Sequence, residues 1–360
     1  MRILYFASAA SIHSYRWISY FAKKNYKIAW ISFENNIFKL HPNIDYIQVK
    51  SSFKIFKIVK IFIKLKKIIL SFRPDIIHMH SIGSNSLFGL IQTSVPIITT
   101  PWGSDIIFGK DNFFKKLLIN NVLHKSKLIT CDAFHMRELI KKFGIADDKI
   151  KNVNFGIDTK YFYPHEPDDS IRLKYELGNK QVVISLRNFE KIYDIESLIK
   201  SIPYVLNKLP NTIFMLVGKG NQEIYLRKLA SDLGVLNSVR FVGFVNNDSL
   251  PKLLSSVNLY VSTSLSDAGI AASTAEAMAC GLPVLITDSG ENKLWIDDGK
   301  NGFLTPTKNH IILSQRIVEI LNNLDETKKI GKIGRYTIQQ KNDYFNEMEK
   351  MNKLYHQVYK

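Results

Sequence analysis

The stretch Val261–Trp295 (VSTSLSDAGIAASTAEAMACGLPVLITDSGENKLW) decides the fold that this sequence predicts. It contains a loop of small residues, a short helix ended by Gly281 and Pro283, and a second apolar run. Small residues let backbone N–H groups approach a ligand, and a helix N-terminus presents unpaired donors with a partial positive charge. The loop is therefore typical of a phosphate site, where Glu276 could accept hydrogen bonds from a ribose. An Ala-rich helix packed tightly on a sheet is the alternative.

The run EAMACGLPV (276–284), followed by GEN (290–292), resembles the donor-sugar signature of the family 4 glycosyltransferases, retaining enzymes with the GT-B fold. In that family a further acid stands eight residues before the Glu of this run. Ala268 occupies that position here, so the candidate for the acid's role near the donor sugar is the neighbouring Asp267. The resemblance implies an α/β architecture of two Rossmann-like domains, whose parallel sheets face an inter-domain cleft.

The same resemblance implies that the C-terminal half binds a nucleoside-diphosphate sugar. Arg187 follows the predicted strand 181–186, and Lys191 lies close to the place where relatives carry a second basic group for the diphosphate. A guanidinium at a strand end also suits a phosphate chemically, although both residues could instead be structural. The candidate catalytic residues are Glu276, Arg187 and Asp267. The candidate donor-binding residues are Arg187, Lys191, Gly218, Lys219, Gly269, Ile270, Ala271, Ala272, Ser273, Thr274 and Glu276.

The rest of the chain alternates apolar strand-like runs with helical segments, the pattern of parallel sheets covered on both faces. A length of 360 residues suits two domains. We expect an acceptor-binding domain over 1–164 and a donor-binding domain over 165–335. The resemblance implies that a C-terminal helix over 336–360 crosses back onto the first domain.

Polar side chains at predicted strand ends in the first half are candidates for contact with an acceptor, because open α/β sheets bind ligands at their carboxyl edges. His13 and Arg16 follow the first strand, and the segment PDIIHMH (74–80) ends in a histidine. Trp102 stands where many relatives have a histidine. Each of these residues could instead be a capping, surface or strand-end residue. The candidate acceptor-binding residues are His13, Arg16, His80, Ser104 and Asp105.

The positive charge is concentrated in the N-terminal half. Residues 1–165 hold 25 Lys and Arg against 10 Asp and Glu, whereas residues 166–360 hold 24 against 22. Segment 50–73 has eight basic residues and no acid, and its helical spacing places four lysines on one face, namely Lys57, Lys60, Lys64 and Lys67. Such a helix can lie on an anionic membrane, although a sheet-covering helix with a solvated lysine face is the alternative. Nucleic acid is not expected as a partner, because the aromatic residues are not interleaved with the basic ones for base stacking.

The sequence favours a cytoplasmic protein that is peripheral on the inner face of the cytoplasmic membrane. The first apolar run is too short for a signal peptide and continues into an amphipathic segment. No run of 18 apolar residues indicates a membrane span. Cys131 and Cys280 lie far apart, which favours a reducing compartment and provides no metal-binding framework.

The function that the resemblance implies is hexosyl transfer, with retention, from a nucleoside-diphosphate sugar to a hydroxyl acceptor. The basic N-terminal half suggests an acceptor at the membrane, a lipid-linked or other glycan. Surface polysaccharide synthesis (lipopolysaccharide, capsule or exopolysaccharide) is the expected setting. No metal or other cofactor is expected, because a cation and a helix dipole would offset the charge on the leaving diphosphate. A nucleotide-sugar epimerase with the same fold and a non-catalytic nucleotide-sugar-binding protein are the alternatives.

Overall fold

The computed structural model describes residues 1–49, 55–82, 91–102, 106, 113–267 and 269–359. Contacts between residues divide the chain into two compact units. The first unit consists of Met1–Phe155 together with Phe345–Lys360, and the second unit consists of Gly156–Tyr344. Each unit is built around its own parallel sheet, as the alternation of strand and helix in the sequence predicts.

The first unit has a seven-stranded sheet among its described residues, in the spatial order β3-β2-β1-β4-β5-β6-β7. Its strands are β1 (Arg2–Phe6), β2 (Lys27–Ser32), β3 (Ile44–Gln48), β4 (Ile76–His80), β5 (Ile97–Thr100), β6 (Leu128–Cys131) and β7 (Ile150–Asn152). Helices whose bounds lie within the described residues of this part are α1 (Ile12–Lys23), α2 (Ile55–Phe72), α3 (Phe113–Lys125) and α4 (Phe134–Lys141). Every pair of neighbouring strands is parallel.

The second unit has a six-stranded parallel sheet among its described residues, in the order β10-β9-β8-β11-β12-β13. Its strands are β8 (Gln181–Ser185), β9 (Thr212–Val217), β10 (Val239–Gly243), β11 (Leu259–Ser262), β12 (Val284–Thr287) and β13 (Phe303–Thr305). Its helices are α5 (Asp169–Lys174), α6 (Ile195–Lys208), α7 (Glu223–Asp232), α8 (Leu250–Ser255), α9 (Ala272–Ala279), α10 (Asn292–Trp295), α11 (His310–Asn322) and α12 (Leu324–Lys341). The chain then continues into the C-terminal helix α13 (Tyr344–Tyr359).

The strands of the second sheet are almost wholly apolar because both faces of the sheet are covered. Successive side chains of β8 alternate between the two faces. Val182 and Ile184 belong to one buried cluster, which includes Met278 of α9. Val183 belongs to the other, which includes Ile199 of α6. The sheet thus lies between two apolar layers, and the polar loops follow the carboxyl ends of its strands.

The structure places the boundaries of the units away from 164 and 335, where the sequence suggested them. Residues 156–164 belong to the second unit because Ile157 and Phe162 are buried in its core. The guanidinium of Arg335 on α12 donates to the carbonyl of Phe162 at 2.9 Å. Ile338 of α12 lies in the same apolar cluster. Helix α12 is therefore part of the second unit, and the return to the first unit begins with α13.

The helix α13 is anchored on the first unit by buried hydrogen bonds. The hydroxyl of Tyr355, which is fully buried, lies 2.7 Å from the hydroxyl of Tyr5 and 2.5 Å from Nδ1 of His78. Near the start of the helix, a carboxylate oxygen of Glu347 accepts a hydrogen bond from the backbone N–H of Asn154 at 2.7 Å. A buried polar group needs such partners, so these contacts fix where the helix lies on this unit.

Within the described residues, no helix is both long enough and apolar enough to cross a bilayer.

Candidate functional site

The candidate donor site lies at the carboxyl ends of β8 and β11, which are neighbours in the second sheet. Backbone and side-chain hydrogen bonds join the segments that follow these two strands. Leu265 N–H donates to Ile192 O at 2.8 Å, and the Thr263 hydroxyl donates to Tyr193 O at 3.0 Å. Open α/β sheets bind their ligands at this edge, so the fold itself positions the site.

Arg187 is the charged group at the centre of this site, with 8% of its surface exposed. Its Nη2 donates to a carboxylate oxygen of Asp267 at 2.5 Å and to the Ser264 hydroxyl at 3.3 Å. The guanidinium carbon lies 4.3 Å from the centre of the Tyr193 ring. Its Nε is buried and has no hydrogen-bond partner among the described residues. Arg187, assigned from the sequence to the diphosphate, and Asp267, assigned to the donor sugar, thus form one buried ion pair.

The first turn of α9 presents backbone donors to the same edge. The N-cap residue Ala271 makes no side-chain capping bond, and the helical ladder begins with Ala275 N–H donating to Ala271 O at 3.0 Å. The preceding N–H groups therefore have no partner within the helix. The hydroxyls of Ser273 and Thr274 contact the Tyr260 hydroxyl, at 2.9 and 3.2 Å. The backbone N–H groups of this turn are therefore its candidate ligand contacts, because the hydroxyls of Ser273 and Thr274 are already bonded to Tyr260.

Tyr260 links the helix turn electrostatically to the guanidinium. Burial raises the pKa of its hydroxyl, and the positive charge of Arg187 acts in the opposite direction. The sequence analysis did not identify Tyr260 as a site residue, because a tyrosine inside an apolar strand indicates a core position. It also missed Tyr193, for which an aromatic residue shortly after two candidate phosphate-binding cations is the only signal.

The loop after β11 is braced from its other side by the segment after β12. The hydroxyls of Thr287 and Ser289 donate to the carbonyl of Ser264, at 2.5 and 2.9 Å. Gly290 has a φ of +57°, and a Cβ on it would lie 2.1 Å from the carbonyl oxygen of Asp267. The GEN segment therefore needs its glycine so that the backbone of Asp267 can lie against it.

The remaining donor candidates surround this core of the site. Lys191 opens a 3-10 turn, is exposed, and borders an open cavity of about 640 Å³. A Cβ on Gly218 would lie 2.6 Å from the Arg187 carbonyl, so this glycine lets the loop after β9 approach the end of β8. Lys219 is exposed, and Glu276 is half-buried one turn inside α9. Gly269, Ile270 and Ala271 precede α9, and Ala272 is its first residue.

The acceptor candidates of the first unit differ in how accessible they are. His13 packs its ring 4.9 Å from that of Phe155, and burial, helped by the charge of Arg16, lowers its pKa. His80 is fully buried with its ring 5.0 Å from that of Trp17, and burial lowers its pKa to about 3. An acceptor could reach His80 only if the ring were uncovered. The other two candidates, Ser104 and Asp105, lie outside the described residues.

In the part of the chain that the structure describes, no three His, Cys, Asp or Glu side chains are grouped as metal ligands.

Two family models match the chain. Residues 168–337 match the model described as "Glycosyl transferases group 1", and residues 2–133 match the model described as "Glycosyl transferase 4-like". Together these ranges cover most of the sequence.

Two curated relatives and one solved structure illustrate the likeness. "Spore coat protein SA" of Bacillus subtilis (strain 168) is 25% identical over 224 residues, 58% of this chain and 59% of the relative. The "GDP-mannose-dependent alpha-(1-6)-phosphatidylinositol monomannoside mannosyltransferase" of Mycolicibacterium smegmatis is 28% identical over 189 residues, 50% of this chain and 49% of that protein. The chain thus spans about half the length of such relatives. Anabaena Alr3699/HepE, solved in complex with UDP, has a TM-score of 0.81 at 17% identity, covering 98% of this chain and 99% of that one.

The structural likeness confirms the predicted GT-B fold, and it carries no statement about substrates at this level of identity. The range matched by the group 1 model includes the EAMACGLPV and GEN segments from which the family was inferred. The chain belongs to the group 1, family 4-like glycosyltransferases.

Proposed function

We propose that this protein transfers a sugar from a nucleoside-diphosphate sugar to a hydroxyl acceptor, with retention of anomeric configuration. One observation carries the proposal: a buried arginine, whose Nε–H has no hydrogen-bond partner among the described residues, lies at the carboxyl edge of the second sheet, where α9 also begins. Arg187 and the backbone N–H groups of α9 bind the diphosphate. Glu276 accepts hydrogen bonds from the ribose.

The charge that develops on the leaving diphosphate decides what this site can do chemically. A fixed guanidinium and a helix N-terminus are preorganised to stabilise that charge as the glycosidic bond to phosphate breaks. Lys191, exposed on the 3-10 turn, supplies a second positive charge to the same group. We propose that these groups suffice without a bound metal ion, so transfer persists in excess EDTA.

The sugar acceptor is proposed to be a lipid-linked or other glycan in surface polysaccharide synthesis. The mannosyltransferase named above acts on a phosphatidylinositol mannoside, which is a glycolipid. The first unit supplies the acceptor contacts, of which His13 and Arg16 at the start of α1 are the described candidates. The donor base is not fixed by relatives, because one is GDP-mannose-dependent and the structural neighbour holds UDP.

The exposed face of α2 supports a peripheral association with anionic membranes on the cytoplasmic side. Lys60, Lys64 and Lys67 are exposed, while the side chain of Lys57 lies outside the described ones. Ile63 and Leu70 are 53% and 65% exposed on the same helix, at a seven-residue spacing that places them on one face. A helix surface that combines lysines with exposed apolar side chains suits the interface of an anionic bilayer.

Thermal unfolding with UDP, GDP, ADP and their glucose derivatives tests the donor assignment. A nucleotide at a hundredfold excess over its Kd stabilises the protein by about 2.7 kcal/mol. We expect one base to stabilise the wild type and Glu276→Ala to lose most of that shift, since the ribose contact is removed. A wild type that none of the six nucleotides stabilises would refute the proposal.

Mass spectrometry of the products separates transfer from the two alternative functions. Incubation with the stabilising donor and a membrane extract containing glycolipids should yield a glycolipid heavier by one sugar. Conversion of the donor to an isomer without any acceptor would instead identify an epimerase. Binding with no consumption of donor in the complete extract would identify a non-catalytic binding protein.

A further inference from the structure

We propose that Asp267 and Tyr193 are positioning residues that hold Arg187 in the orientation that binds the donor diphosphate, and that Asp267 does not contact the donor sugar. This inference rests on the proposed function and assigns Asp267 a different role from the one that the resemblance implies.

The geometry around the guanidinium leaves it little freedom. Asp267 and Ser264 accept hydrogen bonds from Nη2, at 2.5 and 3.3 Å. Tyr193 covers its face, with 4.3 Å between the guanidinium carbon and the centre of the ring. Arginine stacks on aromatic faces and pairs with carboxylates in just these two directions. Both printed hydrogen bonds of the guanidinium are made by Nη2, and the buried Nε has no partner among the described residues.

Asp267 is itself held in place by its ion pair and by its backbone. Its side chain is 7% exposed in the ion pair. Its carbonyl oxygen accepts a hydrogen bond from Glu291 N–H at 3.4 Å, and its backbone lies against Gly290, which has no Cβ to prevent the contact. A carboxylate that left the pair would leave Arg187 buried without a counter-charge, which is strongly unfavourable.

Tyr193 is tied to the donor loop independently of its ring. Its carbonyl accepts a hydrogen bond from the Thr263 hydroxyl at 3.0 Å. Substitution of the side chain therefore removes the aromatic face and leaves this backbone bond in place. The chain thus offers matched variants: Tyr193→Phe keeps the aromatic face, and Tyr193→Leu removes it while keeping apolar bulk.

The affinities of a free nucleotide and of its sugar derivative distinguish the two roles of Asp267. A positioning residue acts on the diphosphate, which both ligands share. We therefore expect Asp267→Ala to weaken binding of the preferred nucleotide (UDP, GDP or ADP) and of its glucose derivative by the same factor, about tenfold or more for a lost charge-assisted hydrogen bond. The amide oxygen of Asp267→Asn still accepts from Arg187, so this variant should bind within about threefold of the wild type.

Isothermal titration of these four variants and the wild type decides the matter. Loss of glucose-nucleotide affinity alone in Asp267→Ala would show a sugar contact and overturn the inference. Unchanged or tighter nucleotide binding in that variant would also overturn it, because a positioning role requires loss. Tyr193→Leu should weaken both ligands equally and Tyr193→Phe should not, whereas equal behaviour of this pair would remove Tyr193 from the inference. A wild type that binds no nucleotide would refute the proposed function itself.

Discussion

Replacement of Gly290 by alanine tests whether the donor loop depends on its contact with the segment after β12. Gly290 has a φ of +57°, and a Cβ there would lie 2.1 Å from the carbonyl oxygen of Asp267. The left-handed backbone alone costs an L-residue about 1–2 kcal/mol. Moving packed backbone out of the way adds about 1–3 kcal/mol. We therefore expect Gly290→Ala to lower the free energy of unfolding by about 2–5 kcal/mol.

Gly178 provides a matched control within the same unit. Its φ is +50°, and a Cβ on it would meet no atom within 4 Å. Gly178→Ala carries the same backbone penalty and the same loss of chain entropy in the unfolded state. The difference between the two variants therefore isolates the contact with Asp267, at about 1–3 kcal/mol.

Thermal unfolding followed by circular dichroism, with and without the preferred nucleotide, measures both consequences. Each kcal/mol lowers the melting temperature of a domain of this size by about 2–4 °C. Gly290→Ala should also lose nucleotide stabilisation, because displacement of Asp267 releases Arg187, whereas Gly178→Ala should keep it. Equal melting temperatures and equal nucleotide shifts for the two variants would refute the reasoning.

Three further predictions concern the first unit. Tyr355→Phe should lower stability in urea by about 2–4 kcal/mol, because His78 and Tyr5 lose a buried hydrogen-bond partner. Burial lowers the pKa of His78 well below its ordinary value and lowers that of His80 to about 3. Both histidines therefore stay neutral in the folded protein at pH values where the unfolded chain takes up protons. The free energy of unfolding should be highest above pH 6.5 and should fall below it, by up to about 1.4 kcal/mol per pH unit for each histidine. His80→Phe should flatten that fall. Glutamate at the three exposed α2 positions, Lys60, Lys64 and Lys67, should abolish flotation with phosphatidylglycerol-containing liposomes.

Each of these predictions has a control or an outcome that would contradict it. Tyr359→Phe, on the same helix but 57% exposed, should leave stability unchanged. A pH profile for His80→Phe as steep as that of the wild type would remove His80 from the explanation. Glutamate at Lys228, Lys328 and Lys332, which are exposed on the second unit, makes the same charge change. If it abolished flotation equally, the effect would be one of net charge and not of α2.

The fold could be predicted because its signals are local and repeated. The apolar runs that became β8, β11 and β12 are bounded by glycine, proline or polar residues, and both faces of a parallel sheet are buried, so each run is nearly uninterrupted. The small-residue loop and the EAMACGLPV run place α9 and its N-terminus without any knowledge of tertiary contacts.

The details that could not be predicted from the sequence all depend on contacts between residues that are far apart along the chain. Nothing near Arg187 shows that its nearest partner is Asp267, 80 residues later. The boundary of the second unit moved to Gly156 because Phe162 is buried in that core, a fact of packing and not of composition. His80 at a strand end resembles an accessible ligand contact, yet aromatic side chains from other elements enclose it.

A crystal structure of the protein with the nucleotide that stabilises it tests the central claim most directly. The account predicts that diphosphate oxygens lie about 3 Å from the guanidinium of Arg187 and from the backbone N–H groups of the first turn of α9. It also predicts that the ribose hydroxyls contact the carboxylate of Glu276, with the Arg187–Asp267 pair intact. A nucleotide bound elsewhere, or a diphosphate that touches neither Arg187 nor the start of α9, would contradict the account.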